Sequence, residues 1–160
     1  LNQVVPKALA LLPETARPVV IHQAGEKHLA ELEQNYRKAG VQAETRAFID
    51  DMAAGYAWAD LVICRAGALT IAELAAVGAA SVLVPFPHAV DDHQTHNARY
   101  LSEHGAAILL PQPELTAQRL GALLGGFTRE VLLEMARQAR ALGKPQATVA
   151  VAGICRELAR

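Results

Sequence analysis

Five short apolar runs, each of strand length, alternate with helical segments over roughly 100 residues of this chain, and that alternation constrains the fold more than any other feature. The strand runs are 18–22, 43–48, 61–64, 81–84 and 106–110. Between them the spacing predicts helices over 26–39, 50–58, 70–78 and from Asp91 or Asp92 to about His104. A helix over 1–12 precedes the first strand, and helices over 116–124, 129–142 and 146–159 follow the last. Antiparallel neighbours would be joined by turns of two to five residues, and no such turn separates these strands. The implied class is α/β, a doubly wound Rossmann-like parallel sheet with crossover helices.

Local chemistry agrees with this division. Leu61-Val-Ile-Cys64 is a continuous apolar run, as a parallel strand covered on both faces requires. Leu29, Leu32 and Tyr36 recur at helical spacing between Gly25 and Gly40, which open and close that helix. Thr70 begins the next helix and Gly78 ends it; Asp50 and Thr116 are further N-caps. Doubly wound domains commonly begin with a strand and a glycine-rich turn. This sequence begins at the helix that would follow them, so either the first strand is absent or the sequence is part of a longer protein.

Composition narrows the class. At 160 residues the chain is one domain long, and 52% apolar against 19% charged residues excludes a disordered tail. The 32 alanines and 21 leucines, with only 4% aromatics, favour helices and thin helix–sheet contacts over an all-β sandwich. A net charge of -1 leaves no electrostatic footprint for nucleic acid and little attraction to anionic lipid. No apolar stretch is long enough for a membrane span, and Leu1–Lys7 does not read as a signal peptide. Cys64 lies in an apolar strand, so a buried thiol in a reducing compartment is expected rather than a disulfide with Cys155.

Ligands on such sheets bind beyond the carboxyl ends of the strands, which selects the loops 22–26, 48–51, 65–70, 85–94 and 111–115. Cys64-Arg-Ala-Gly-Ala-Leu-Thr-Ile-Ala-Glu73 carries a strand through a tight turn into a helix. Free backbone N–H groups and the positive helix end make an anion pocket there, suited to a diphosphate. Glu73 on that helix can accept from two neighbouring ribose hydroxyls; Thr70 and Glu73 also fit a capping box. In the 85–98 stretch, Gln94 and Asn97 share a helix face and their carboxamides suit sugar hydroxyls, or else form a solvated helix start. Phe48-Ile-Asp-Asp-Met52 offers an aromatic ring and open main chain to a base, or places Phe48 in the core at an ordinary turn. Asp91, Asp92, His93 and His96 lack a second group of ligands on another element, so no metal site is expected. There is no G-x-S-x-G elbow and no phosphate-binding P-loop.

Taken in order, Phe48-Ile-Asp-Asp-Met-Ala-Ala, Tyr56-Ala-Trp-Ala-Asp60, Cys64-Arg-Ala-Gly-Ala-Leu-Thr, Glu73, Pro85-Phe-Pro and His93-Gln94 with Asn97-Ala98 resemble the C-terminal half of the MurG family. These are the UDP-N-acetylglucosamine transferases that make lipid II in bacterial cell-wall synthesis. The resemblance runs over nearly the whole chain and implies the C-terminal, donor-binding lobe of a two-lobed GT-B glycosyltransferase, spanning residues 1–160 and lacking its first strand.

Carried over by residue, it implies that the Ile49 backbone reads the uracil edge with Phe48 beside it, and that Glu73 holds the ribose. The amides of Leu69 and Thr70 would take the diphosphate, and Gln94 and Asn97 the N-acetylglucosamine hydroxyls. Met52 and Ala68 would line the pocket. Arg65 matches the family motif without an assigned role, and His93 is a weaker match than Gln94. No catalytic residue is expected in this chain: the base, the lipid I acceptor site and the membrane contact would belong to an absent N-terminal lobe. Neither cofactor nor metal is implied, and the place of work would be the cytoplasmic face of the bacterial inner membrane, as a peripheral protein. The competing readings are a stand-alone donor-binding subunit of a two-chain transferase, a non-enzymatic nucleotide-sugar sensor, and a UDP-sugar epimerase.

Overall fold

The five strands form where apolar runs and crossover spacing place them, and every observed pairing is parallel. The computed structural model describes residues 1–87 and 90–159; His88 and Ala89 of the 85–98 stretch lie outside these. Strand β1 (Ile21–Gln23) pairs with β2 (Glu44–Arg46), with Ile21 opposite Glu44. Strands β3 (Val62–Cys64), β4 (Ser81–Leu83) and β5 (Ala107–Leu109) form a second sheet in that order, Val62 lying opposite Ser81 and Ser81 opposite Ala107. The expected parallel arrangement is present as two short ladders. A doubly wound order calls for a strand between β1 and β3, leading into the first helix, and no strand precedes that helix among the described residues. The ladder also opens later than the apolar run suggests. Pro18 has no N–H to donate, Val19 is 81% exposed, and pairing starts where the Glu44 N–H donates to the Val20 carbonyl at 2.8 Å.

Eight α-helices are assigned among the described residues: α1 (Val4–Ala10), α2 (Glu26–Ala39), α3 (Met52–Trp58), α4 (Ala68–Val77), α5 (His93–Ser102), α6 (Ala117–Gly126), α7 (Arg129–Leu142) and α8 (Ala147–Leu158). Three starts differ from expectation. Asp51, not Asp50, caps α3 by accepting from the Ala54 N–H at 2.9 Å. Helix α4 starts from Gly67, so Thr70 sits inside the first turn and Glu73 in the second, and the Thr70–Glu73 capping box does not form. Helix α5 is entered through Asp91 and Asp92, both with φ of 51°; the Asp92 carboxylate accepts from the Thr95 hydroxyl at 2.6 Å instead of capping a backbone N–H. The expected caps at Thr116 and Gly40 do form, Gly40 in the left-handed region that ends a helix.

Strand β4 shows how the layers are built. Its side chains alternate between faces, and both are fully buried. Val82 and Val84 join a core with Leu9, Leu12, Leu32, Tyr36, Leu110 and Leu120, contributed by the α1, α2 and α6 side. Leu83 joins a second core with Ile71, Leu74, Leu101, Ala107 and Ala139, from the α4, α5 and α7 side. At about 1.5–3 kcal/mol per buried large aliphatic side chain, either core is substantial. Sheet β3–β5 is thus covered by helices on both faces, the layering the apolar runs required. Both cysteines are free, and burial pushes the Cys64 thiol up to about 12. Among the described residues no helix is long and apolar enough to cross a membrane.

Candidate functional site

The turn from β3 into α4 is held from three sides by side chains. Arg65 leaves the end of β3 and turns back, donating to the carbonyls of Val84 (3.2 Å) and Pro85 (3.0 Å), with its guanidinium 5.6 Å from the centre of the Phe86 ring. Ala66 is fully buried. Its N–H donates to the Gln94 Oε1 at 3.2 Å, and the same oxygen accepts from the Phe86 N–H at 2.9 Å. The Asn97 amide donates to the Ala66 carbonyl at 3.1 Å. Such bonds fix a loop whose backbone polar groups would otherwise be satisfied only by water. The first intrahelical bond of α4 runs from the Ile71 N–H to the Gly67 carbonyl. The N–H groups of Ala68, Leu69 and Thr70 therefore have no intrahelical acceptor and carry the positive end of the helix dipole.

Glu73, one turn further along α4, is exposed. Its Oε2 accepts from the Tyr56 hydroxyl at 2.9 Å, and the Tyr56 ring is buried in the second core beside Ala66, Ile71 and Leu74. Burial, with the Glu73 carboxylate next, pushes the Tyr56 phenol well above its ordinary range, so it stays a hydrogen-bond donor. The other carboxylate oxygen of Glu73 is left to accept from an incoming hydroxyl.

The chain leaving β2 presents apolar surface. Phe48 is 59% exposed and Met52 38%, which removes the alternative of Phe48 in the core. The Ile49 N–H donates to the Gln23 Oε1 at 2.8 Å, so a side chain from the end of β1 occupies the main-chain donor in this loop. Leu69, at the start of α4, is 81% exposed.

All nine expected site residues thus lie on segments beyond the carboxyl ends of β2, β3 and β4. Ala68, Leu69, Thr70 and Glu73 share α4. Gln94 and Asn97 converge on the 65–67 turn, but each carboxamide is half used there, leaving the Gln94 amide and the Asn97 oxygen. Phe48, Ile49 and Met52 form a separate group after β2. Sequence reasoning missed Gln23 and Tyr56, which lie 26 and 17 residues from their partners; no local pattern encodes such pairs. It also left Arg65 without a role, which the structure supplies as an anchor between β3 and the 84–86 segment. Among the described residues no group of three or more His, Cys, Asp or Glu side chains could hold a metal ion. Two concavities of about 280 and 850 Å³ lie at the opposite, amino ends of the strands; backbone donors and convergent polar groups mark the carboxyl edge.

Parallel strands wrapped by helices on both faces, with a bare helix N-terminus and a carboxylate at the carboxyl edge, define a Rossmann-like lobe with a candidate anion- and hydroxyl-binding edge. The chain belongs to the glycosyltransferase family 28 C-terminal domain family, whose model matches residues 1–151. It is 65% identical over 159 residues to the UDP-N-acetylglucosamine--N-acetylmuramyl-(pentapeptide) pyrophosphoryl-undecaprenol N-acetylglucosamine transferase of Azoarcus sp., covering 99% of this chain and 45% of that protein. The corresponding transferase of Dechloromonas aromatica is 61% identical over 160 residues, again with 45% of its length matched. The crystal structure of Acinetobacter baumannii MurG superposes with a TM-score of 0.90 at 40% identity, over 98% of this chain and 47% of that one. The glycosyltransferase VinC, solved in complex with dTDP, shares the fold at a TM-score of 0.63 and 18% identity, over 93% of this chain and 35% of its own. The chain therefore spans about half the length of the transferases it matches, as their C-terminal lobe.

Proposed function

We propose that this chain is the donor-binding lobe of an inverting N-acetylglucosaminyltransferase, taking UDP-N-acetylglucosamine for transfer to lipid I in lipid II synthesis. The observation that carries the reading is the α4 start: three backbone N–H groups without intrahelical acceptors, with the exposed Glu73 carboxylate on the same helix. A diphosphate next to a ribose needs that combination of anion donors and a diol acceptor. The amides of Leu69 and Thr70 take the diphosphate oxygens, and Glu73 accepts from the ribose hydroxyls. The base lies at the 48–52 loop, flanked by Phe48 and Met52 and read by the Ile49 main chain through its carbonyl, since Gln23 holds the N–H. The remaining carboxamide atoms of Gln94 and Asn97 face the sugar, and Ala68 lines the wall. When the acceptor hydroxyl attacks the anomeric carbon and UDP leaves, negative charge grows on the diphosphate, and the helix start stabilises it. The base that takes the hydroxyl proton and the acceptor site belong to the part of the relatives that this chain does not span. The whole enzyme works as a peripheral protein on the cytoplasmic face of the inner membrane.

Calorimetry with UDP on the native chain and on Glu73→Ala tests the reading. Loss of a bidentate, charge-assisted contact costs about 2 kcal/mol, so the variant should bind roughly 30-fold more weakly. Equal affinity in both proteins would remove Glu73 from the ribose.

A further inference from the structure

We propose that Tyr56 is the positioning residue of the nucleotide site, holding the Glu73 carboxylate in the orientation that accepts a vicinal diol; this rests on the ribose assignment made above. The two side chains differ sharply in their surroundings. Glu73 is exposed, and a glutamate on a helix surface has three rotatable bonds and no reason to hold one rotamer. Tyr56 is 9% exposed, and its ring belongs to the buried core that includes Ala66, Ile71 and Leu74. Its hydroxyl reaches out of that packing to the Glu73 Oε2 at 2.9 Å. Glu73 is the one hydrogen-bond partner given to this phenol among the described residues. The immobile partner therefore orders the mobile one.

The stereochemistry fits the task. A carboxylate has two oxygens with about four acceptor directions in all. A phenol held on one direction of Oε2 leaves Oε1 and the rest of Oε2 open, which is what two adjacent hydroxyls need. The entropy of fixing Glu73 is met when the chain folds and not when ligand arrives, which is how preorganisation raises affinity. Ala66 links this pair to the diphosphate side: it packs in the same core as Tyr56, and its backbone is bonded by Gln94 and Asn97.

The test is Tyr56→Phe, which deletes one oxygen and keeps the ring. Binding of UDP and of 2′,3′-dideoxyuridine diphosphate is measured by calorimetry on the native chain and the variant, together with thermal melting. The expected result is a loss of about five- to tenfold in UDP affinity, unchanged affinity for the dideoxy compound, and a melting temperature within about two degrees of native. In a Glu73→Ala background, Tyr56→Phe should add nothing. A purely structural tyrosine would weaken both nucleotides alike or neither, and either outcome overturns the proposal while leaving the ribose assignment standing. A native chain that fails to distinguish UDP from its dideoxy analogue would remove the ribose assignment, and this proposal with it.

Discussion

His22, in the middle of the half-buried β1, is a polar group whose neighbours decide its protonation. Its Nδ1 lies 2.9 Å from the Tyr36 hydroxyl and its Nε2 3.2 Å from the Asn2 Oδ1. The carboxamide oxygen can only accept, so Nε2 carries the proton, and the phenol donates to a bare Nδ1. Both bonds suit the neutral ring and leave no acceptor for a second proton. Burial lowers its pKa from 6.5 to about 4. The unfolded chain then binds a proton between pH 6.5 and 4 that the folded chain refuses. The contribution of His22 to stability is complete above 6.5 and is lost as pH falls through that window. Unfolding free energy from urea titrations at pH 7 and 5 should fall by an amount on the order of 1–2 kcal/mol, discounted for the ring's partial exposure. His22→Gln should flatten that difference, and an unchanged slope in the variant would show that another group is responsible. The histidine itself is visible in the sequence at the end of a strand, but its partners lie 14 and 20 residues away, and only the folded packing brings them together.

Helix ends show most plainly what local chemistry writes into a sequence. Glycine after an apolar helical repeat marks a stop, and Gly40 and Gly78 both take left-handed conformations there. Gly78 has a second constraint that no local reading reveals. A Cβ placed on it would lie 2.9 Å from the Arg140 Cβ and 3.1 Å from the Ala136 carbonyl oxygen, both on α7. The side-chain-free position lets α4 end directly against that helix. Gly78→Ala combines a strained φ with a backbone clash, so it should destabilise the chain by about 2 kcal/mol or more. For a domain of this size that is a fall in melting temperature of roughly 4–8 °C. Gly40→Ala has the same φ penalty with nothing within 4 Å of the added carbon, and should cost about half as much. Equal losses at the two glycines would show that the contact with α7 yields without strain. By the same logic the start of α4 was misplaced by two residues: Thr70 carries a capping signal, but tertiary bonds from Gln94 and Asn97 fix the turn earlier and start the helix from Gly67.

At the scale of the whole molecule the class of fold was legible and the continuity of its sheet was not. Strand and helix periods are written residue by residue, whereas strand neighbours are chosen by topology, and β1 and β3 share no ladder. The two strand groups are joined through side chains: Leu32, Tyr36 and Val41 from the β1–β2 half pack with Val82, Val84 and Leu110 from the other. The proposed nucleotide site lies across this same junction. Ile49 follows β2, while Leu69, Thr70 and Glu73 follow β3, so a base and its diphosphate would be held by different halves. A ligand held by residues from both strand groups should stiffen both, since any opening that separates them must first release it. At UDP concentrations about 100 times the dissociation constant, mass action contributes about 2.7 kcal/mol. Amide hydrogen exchange should then slow by up to about 100-fold at Ile49, in the first turn of α4, and in the β1–β2 pair, where opening of that half limits exchange. Protection confined to the α4 turn, with the β1–β2 pair unchanged, would place the base elsewhere than the 48–52 loop. Protection at both would support a base at the 48–52 loop with its diphosphate at the start of α4.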